Sequence, residues 1–231
     1  MEDAGFQVFP KGRAPRLPDK VPSFPVYLFD IDGTLLDSAV DICGAVQHVI
    51  SATGIPPARS IDFPYLRSFI GLHLNACFSE VFPHFDAGQR ENLVAHYRAI
   101  YLDRGHTQTH IYPGVVEGLA RLGGRKSTAT TKGTPTTRAV LEKFGLLPFF
   151  DTVQGTDGFP CKPAPDVILT ALSSLGAKPG ECLMVGDSPA DVAAAKAAGV
   201  KVAVTTYGYG NRQELEQAGP DYWITDLREL S

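Results

Sequence analysis

The sequence predicts an α/β fold built on a parallel β-sheet, with a helical insert placed after the first strand. Three observations carry this: short apolar runs alternate with helical patterns over the second half of the chain, a long tract without strand signal follows the first run, and prolines mark helix starts. Strands separated by helices of about 10 to 15 residues need crossover connections, and crossovers generate parallel pairing. The 231 residues are 44% hydrophobic and 20% charged, enough for one sizeable core carrying an insert.

Residues 1–25 interleave Pro10, Pro15, Pro18, Pro22 and Pro25 with basic residues and show neither helical nor strand periodicity, so an extended tail is expected. From Val26 a short run, apolar on both faces, reads as a buried strand ending in Asp30-Ile31-Asp32-Gly33-Thr34. Residues 38–110 read as helices at Ala39–Ala52, Leu72–Phe82 and Gly88–Leu102, broken by Pro56-Pro57, Pro64 and Pro83. Further strands are expected at Ser127–Thr131, Asp151–Gln154, Cys182–Gly186 and Val200–Thr205. Helices are expected at Gly114–Leu122, Pro135–Phe144, Pro165–Leu175 and Pro189–Ala198. Thr134-Pro135 and Ser188-Pro189 each offer a hydroxyl as N-cap and a proline at the first helical position. In open parallel sheets ligands bind beyond the carboxyl ends of the strands, so these loops and the Asp30 loop are expected to face one crevice.

Composition excludes several functions. A formal charge of −4 and a pI near 5.8 lack the basic excess that nucleic-acid binding needs, and no run approaches the roughly 18 apolar residues of a membrane span. No secretion signal is recognisable, and a cytoplasmic protein with neither nucleic acid nor membrane as partner is expected. Cys43, Cys77, Cys161 and Cys182 are far apart without metal-ligand spacing, and read as small hydrophobes. All six histidines lie within the insert, which disfavours a Ser-His-Asp hydrolase on the core; surface or loop positions are expected for them. The i, i+4 pair His106 and His110 lacks the acid of a zinc motif.

The acids point to a positive chemistry. Asp30 and Asp32, two residues apart, can project to one side at the strand end. Two negative charges about 4 Å apart repel by roughly 4 kcal/mol at an effective dielectric of about 20, so such a pair calls for a cation or a shared proton. Asp187 ends a later strand, and Asp191 follows one helical turn on. Oxygen ligands clustered without histidine or thiolate suit Mg²⁺ rather than zinc. Asp191 also completes a capping-box pattern with Ser188, and Ser38-Ala-Val-Asp41 has the same shape, where a purely structural capping role is expected.

Asp30-Ile-Asp-Gly-Thr-Leu-Leu-Asp-Ser, Thr130, Lys162-Pro-Ala-Pro-Asp and Gly186-Asp-Ser-Pro-Ala-Asp occur in this order. Over nearly the whole chain beyond the tail, the sequence resembles the haloacid dehalogenase superfamily, and most closely its phosphoglycolate-phosphatase branch. The resemblance extends to Tyr207-Gly-Tyr-Gly and the ending Ala218-Gly-Pro-Asp-Tyr-Trp-Ile-Thr-Asp-Leu. It implies a Rossmann-like doubly wound core over residues 26–37 and 111–231, with residues 38–110 as a helical cap that closes over the crevice. It further implies a phosphatase acting on a small phosphorylated metabolite, 2-phosphoglycolate first, as a monomer or homodimer.

Carried over residue by residue, Asp30 is the nucleophile that forms an aspartyl-phosphate and Asp32 the general acid and base. Mg²⁺ is held by Asp30, the backbone carbonyl of Asp32 and Asp187, with Asp191 in support. Thr130 supplies a hydroxyl to a phosphoryl oxygen, and Lys162 a positive point charge that offsets both the carboxylates and the transferring group. Gly33 lets the chain leave the strand sharply, and Thr131 stands where that branch often has asparagine. In the cap, Arg67 can grip a substrate carboxylate bidentately, and Gly71 permits close approach of the backbone. A phosphomutase or pyrophosphatase of the same superfamily is the alternative, and a receiver-type signalling module is a more distant one.

Overall fold

The structure, a computed structural model, describes residues 20–231; most of the expected tail lies outside the described residues. The first strand, β1 (Val26–Phe29), is buried along its whole length. A two-residue strand β2 (Leu36–Asp37) leads into the insert, which holds α1 (Ala39–Ala52), α2 (Phe63–Arg67), α3 (Leu74–Val81) and α4 (Ala87–Asp103). The chain returns through β3 (His110–Ile111), antiparallel to β2 with Asp37 opposite His110, so the two crossings into and out of the insert are hydrogen-bonded to each other. Next come α5 (Val115–Arg121), β4 (Arg125–Thr128), α6 (Thr134–Lys143) and α7 (Asp166–Leu175). The chain closes with β5 (Cys182–Gly186), α8 (Pro189–Ala197), β6 (Lys201–Thr205), α9 (Arg212–Ala218) and β7 (Tyr222–Ile224).

The sheet order is β4-β1-β5-β6-β7 and every pairing in it is parallel. This is the doubly wound arrangement in which strand order reverses beside β1, and the switch point between β1 and β5 opens a crevice at their carboxyl ends. Side-chain alternation divides the core accordingly. Val26, Leu28, Cys182 and Met184 pack with α7 and α8, whereas Tyr27, Phe29, Leu183 and Val185 face the opposite side. That second cluster continues into the insert through Ile42, Val46, Phe78 and Tyr97, so burial of apolar surface joins insert and sheet.

Four expectations need correction. Residues 151–154 form no strand. The Asp151 N–H donates to the Lys126 carbonyl at 2.9 Å, but the Asp151 carboxylate takes the Lys126 N–H at 2.7 Å and the Thr128 hydroxyl exchanges hydrogen bonds with Gln154 at 2.8 Å, so side chains interrupt the backbone ladder along this edge of β4. Thr134 is not an N-cap: Gly133 takes that position, and the Thr134 hydroxyl accepts from the Gly155 N–H at 2.8 Å. Ser38 sits at the N-cap of α1 without a side-chain capping bond, and Asp41 accepts instead from Gln108 N–H and the Thr109 hydroxyl, tying the end of the insert to its beginning. His106 is buried rather than superficial, 4% exposed, with its ring centroid 4.5 Å from that of Tyr101.

The short helix α2 departs from the expected break at Pro64, because this proline lies in the first turn, where a missing N–H costs nothing. Cys43, Cys77 and Cys182 are buried and all four cysteines are free. Among the described residues, no helix is long and apolar enough to cross a membrane.

Candidate active site

β1 ends at Phe29 and β5 at Gly186, so Asp30 and Asp187 stand side by side where the two neighbouring strands stop. Oxygens of Asp30, Asp187 and Asp191 lie within 4.8 Å of one another, and all three residues are buried. The first turn of α8 directs Asp191 back at the cluster. Its Oδ2 accepts from the N–H groups of Asp187 and Ser188 and from the Ser188 hydroxyl, completing a capping box, while its Oδ1 lies 2.5 Å from the Lys162 ammonium. Asp191 therefore both caps the helix and supports the site.

Lys162 reaches in from the loop before α7 and is 3% exposed. Its Nζ donates to Asp30 Oδ1 at 2.9 Å, to Asp191 Oδ1, and to the Ala129 carbonyl at 3.0 Å. Burial alone would pull the pKa of this lysine down; the Asp191 and Asp30 carboxylates outweigh it and hold it above the usual lysine value. Burial pushes Asp30 up to about 6, against the pull of Lys162, and pushes Asp187 well above the usual carboxylate range, with Asp191 and Asp30 adding to the rise. One ammonium does not neutralise three buried carboxylates. That surplus of hard oxygen charge is what a divalent cation such as Mg²⁺ relieves, so the donor set fits the metal.

Both Asp187 oxygens are oriented by the protein: Thr34 donates its hydroxyl to Oδ1 at 3.2 Å, and the Tyr209 N–H donates to Oδ2 at 2.7 Å. Gly33 has φ +89°, and a Cβ there would collide with the Asp187 carboxylate, so this turn admits no side chain. Asp30 Oδ1 is occupied by Lys162, whereas Oδ2 has no protein donor among the described residues. Thr130 is buried, 1% exposed, in the loop after β4, held by the Thr156 hydroxyl on its carbonyl at 2.9 Å. The first N–H of α6 does not face an open anion site, because Thr134 N donates to the Asp157 carboxylate at 3.1 Å.

Asp32 turns away from the cluster, toward the insert. Its Oδ1 accepts the Ser38 hydroxyl at 2.6 Å, and its Oδ2 pairs with the Lys132 ammonium at 3.2 Å. Lys132 sits 4.2 Å from the centroid of the Tyr101 ring. Burial opposes its charge, but Asp32 holds its pKa above the usual lysine value, so it remains an ammonium. Asp32 and Lys132 lie at the base of a cavity of about 90 Å³ between insert and sheet, bordered also by Leu66, Ile70, Tyr97 and Arg98.

Of the residues anticipated for substrate, Thr131 and Gly71 border this cavity, and a Cβ on Gly71 would stand 3.6 Å from Ser188 of the core. Arg67 does not border it; its guanidinium carbon lies 5.0 Å from the centroid of the Tyr209 ring. Three contributors were missed in the sequence. Lys132 carried a signal, being a cation two positions after Thr130 in a strand-end loop. Ser38 carried none, since its capping-box pattern pointed elsewhere. Tyr209 was quoted only as part of Tyr207-Gly-Tyr-Gly; its phenol accepts from the N–H groups of Ser38 and Ala39 at 2.6 and 3.0 Å and donates to Asp37 at 2.8 Å. One residue thus links Asp187 to the start of the insert.

Comparison with known proteins agrees with this geometry. A family model described as haloacid dehalogenase-like hydrolase matches residues 27–205. Phosphoglycolate phosphatase 1 of Pseudomonas aeruginosa is 34% identical over 213 residues, covering 88% of this chain and 77% of that protein. The phosphoglycolate phosphatase of Nitrosococcus oceani is 31% identical over 214 residues, covering 88% and 93%. The crystal structure of a predicted phosphatase from Clostridium acetobutylicum superposes with a TM-score of 0.80 at 31% identity, over 90% of this chain and 96% of that one.

Proposed function

Because the chain belongs to the haloacid dehalogenase-like hydrolases, we propose that it is a Mg²⁺-dependent phosphatase that cleaves a small phosphomonoester through an aspartyl-phosphate on Asp30. The observation that carries this reading is the asymmetric use of Asp30 at the β1/β5 switch point: one oxygen is held by Lys162, while the other has no protein donor among the described residues. An oriented carboxylate with one uncommitted oxygen is what nucleophilic attack on phosphorus requires.

Asp30 Oδ2 attacks phosphorus as the bond from phosphorus to the ester oxygen breaks. Asp32, facing the cavity, gives its proton to the departing oxygen. A water then attacks the phosphorus of the aspartyl-phosphate, its proton passes to the Asp32 carboxylate, and the bond from phosphorus to Asp30 breaks to release phosphate. The Thr130 hydroxyl holds a phosphoryl oxygen through both displacements, while the Lys162 ammonium, bound to Asp30 Oδ1 and Asp191 Oδ1, offsets the negative charge gathered there. Gly33 keeps Asp187 in place, Asp191 positions Lys162, and Thr131 and Gly71 border the space for the leaving group. Asp30, the Asp32 carbonyl and Asp187 would hold Mg²⁺, which supplies neutralisation of the carboxylate charge that otherwise repels an anionic substrate. Residues 38–110 act as the cap that excludes water, and Arg67, lying on Tyr209, acts at its seam with the core.

The names of the relatives make 2-phosphoglycolate the first substrate to assay. Released phosphate is measured over a panel of phosphomonoesters with Mg²⁺, with EDTA, and with Asp30→Asn. The expected result is turnover with Mg²⁺ and a fall of at least about a thousandfold in the other two arms. Equal rates in all three arms would remove the proposed chemistry.

A further inference from the structure

The leaving-group side of the site contains a buried cation whose hydrogen-bonding capacity the protein does not use up. An ammonium has three N–H donors. Among the described residues, Lys132 has one carboxylate partner, Asp32 Oδ2 at 3.2 Å, and otherwise rests on the face of the Tyr101 ring. Its side chain is 8% exposed, and the space it borders is the cavity between insert and sheet. A buried ammonium without a full set of acceptors is costly unless something else supplies them.

The rest of the lining narrows what that something is. Leu66, Ile70 and Tyr97 offer hydrocarbon walls, and Asp32 is the one acid in the lining among the described residues, against the cations Lys132 and Arg98. The cavity is therefore cationic in balance. The Tyr101 hydroxyl is buried without a partner among the described residues. A ligand suited to this space carries a second anion, separate from the phosphate, joined to the ester oxygen by a short carbon chain.

We propose that Lys132 is the residue that selects the substrate, binding a carboxylate on the leaving group with its unused donors while Asp32, held beside it, faces the ester oxygen. This rests on the phosphatase reading and adds to it a specificity-determining residue. It moves carboxylate recognition from Arg67, which the cavity does not reach, to a cation beside the acid that the chemistry uses. The ion pair with Asp32 gives Lys132 a fixed position before substrate arrives.

The test uses the full chain with Mg²⁺ and two substrates that differ in one group: 2-phosphoglycolate, and 2-hydroxyethyl phosphate, in which a neutral hydroxymethyl replaces the carboxylate. The wild type should favour 2-phosphoglycolate in kcat/KM by at least about tenfold. Lys132→Met should cut that preference about tenfold or more, mainly through KM, and Lys132→Arg should restore part of it. Calorimetric binding of 2-phosphoglycolate to Asp30→Asn, with and without Lys132→Met, reads the same contact without turnover; about tenfold weaker binding is expected in the double variant. Equal losses for both substrates, or unchanged binding in calorimetry, would overturn the role of Lys132. A wild type that binds 2-phosphoglycolate through Lys132 but releases no phosphate would instead sink the phosphatase reading and leave the contact standing.

Discussion

Lys162 and Lys132 are both ammonium groups drawn out of water beside an aspartate, and the protein uses them differently. Lys162, on the sheet side of the site, is surrounded by three oxygens from Asp30, Asp191 and the Ala129 carbonyl. Lys132, on the insert side, has one carboxylate and an aromatic face. A cation with every donor committed serves as internal countercharge, and its loss strands the carboxylates around it. A cation with donors left over is available to a ligand. Under the proposed function, the difference separates the half of the site assigned to the phosphoryl group from the half assigned to whatever the phosphoryl group leaves behind.

The largest expected effect falls on the saturated half. Lys162→Met leaves Asp30 and Asp191 without their shared partner, and removing one member of a buried ion pair costs about 3–5 kcal/mol. Denaturant unfolding of the metal-free protein should show a loss of this size, together with a fall in kcat of roughly a hundredfold or more. If Lys162→Met and Lys132→Met were equally destabilising, the distinction between committed and available cations would be wrong.

A middling effect is expected where the two halves are joined. Tyr209→Phe removes the phenol oxygen that accepts from Ser38 and Ala39, leaving two N–H groups at the start of α1 unpaired, at a cost of about 1–3 kcal/mol. Turnover should survive, since the Tyr209 N–H that holds Asp187 belongs to the backbone. Thermal unfolding and kcat measured together would check this; a collapse of kcat at unchanged stability would place the phenol inside the chemistry.

The smallest effect concerns the insert alone. His106 is buried against Tyr101 and Phe144, and neither ring nitrogen has a partner among the described residues. Burial lowers its pKa, Lys132 and Lys143 lower it further, and Asp41 and Asp32 oppose them. A histidine held neutral in the folded state contributes stability above its ordinary pKa of about 6.5, and that contribution is lost as pH falls below it. The melting temperature of the wild type should therefore drop more between about pH 7 and about pH 5 than that of His106→Phe. Parallel drops would show that this histidine does not titrate on unfolding.

Much of the sheet side was legible before any coordinates. Val26–Phe29 and Cys182–Gly186 are uniformly apolar runs ending at an aspartate, and a doubly buried parallel strand requires that pattern. The insert side was legible only in part. α1 begins and ends where periodicity placed it, but Ser38 and Asp41, read as a helix cap, are spent on Asp32 and on the Gln108–Thr109 turn. A local pattern names a partner three residues away, and contacts across distant segments override it when they bury the same groups better.

The strands β1, β4, β5 and β6, the helices α5 to α8 and the acids at the strand ends followed from the sequence alone, because periodicity and strand-end position are local properties of the chain. Which cations those acids meet was decided by the tertiary structure. Lys132 reaches Asp32 across about one hundred positions of sequence, and Tyr101 reaches Lys132 across about thirty, through the return of the chain from the insert onto the sheet. Charge pairing in a buried site depends on distances through space, and only the packed fold sets those.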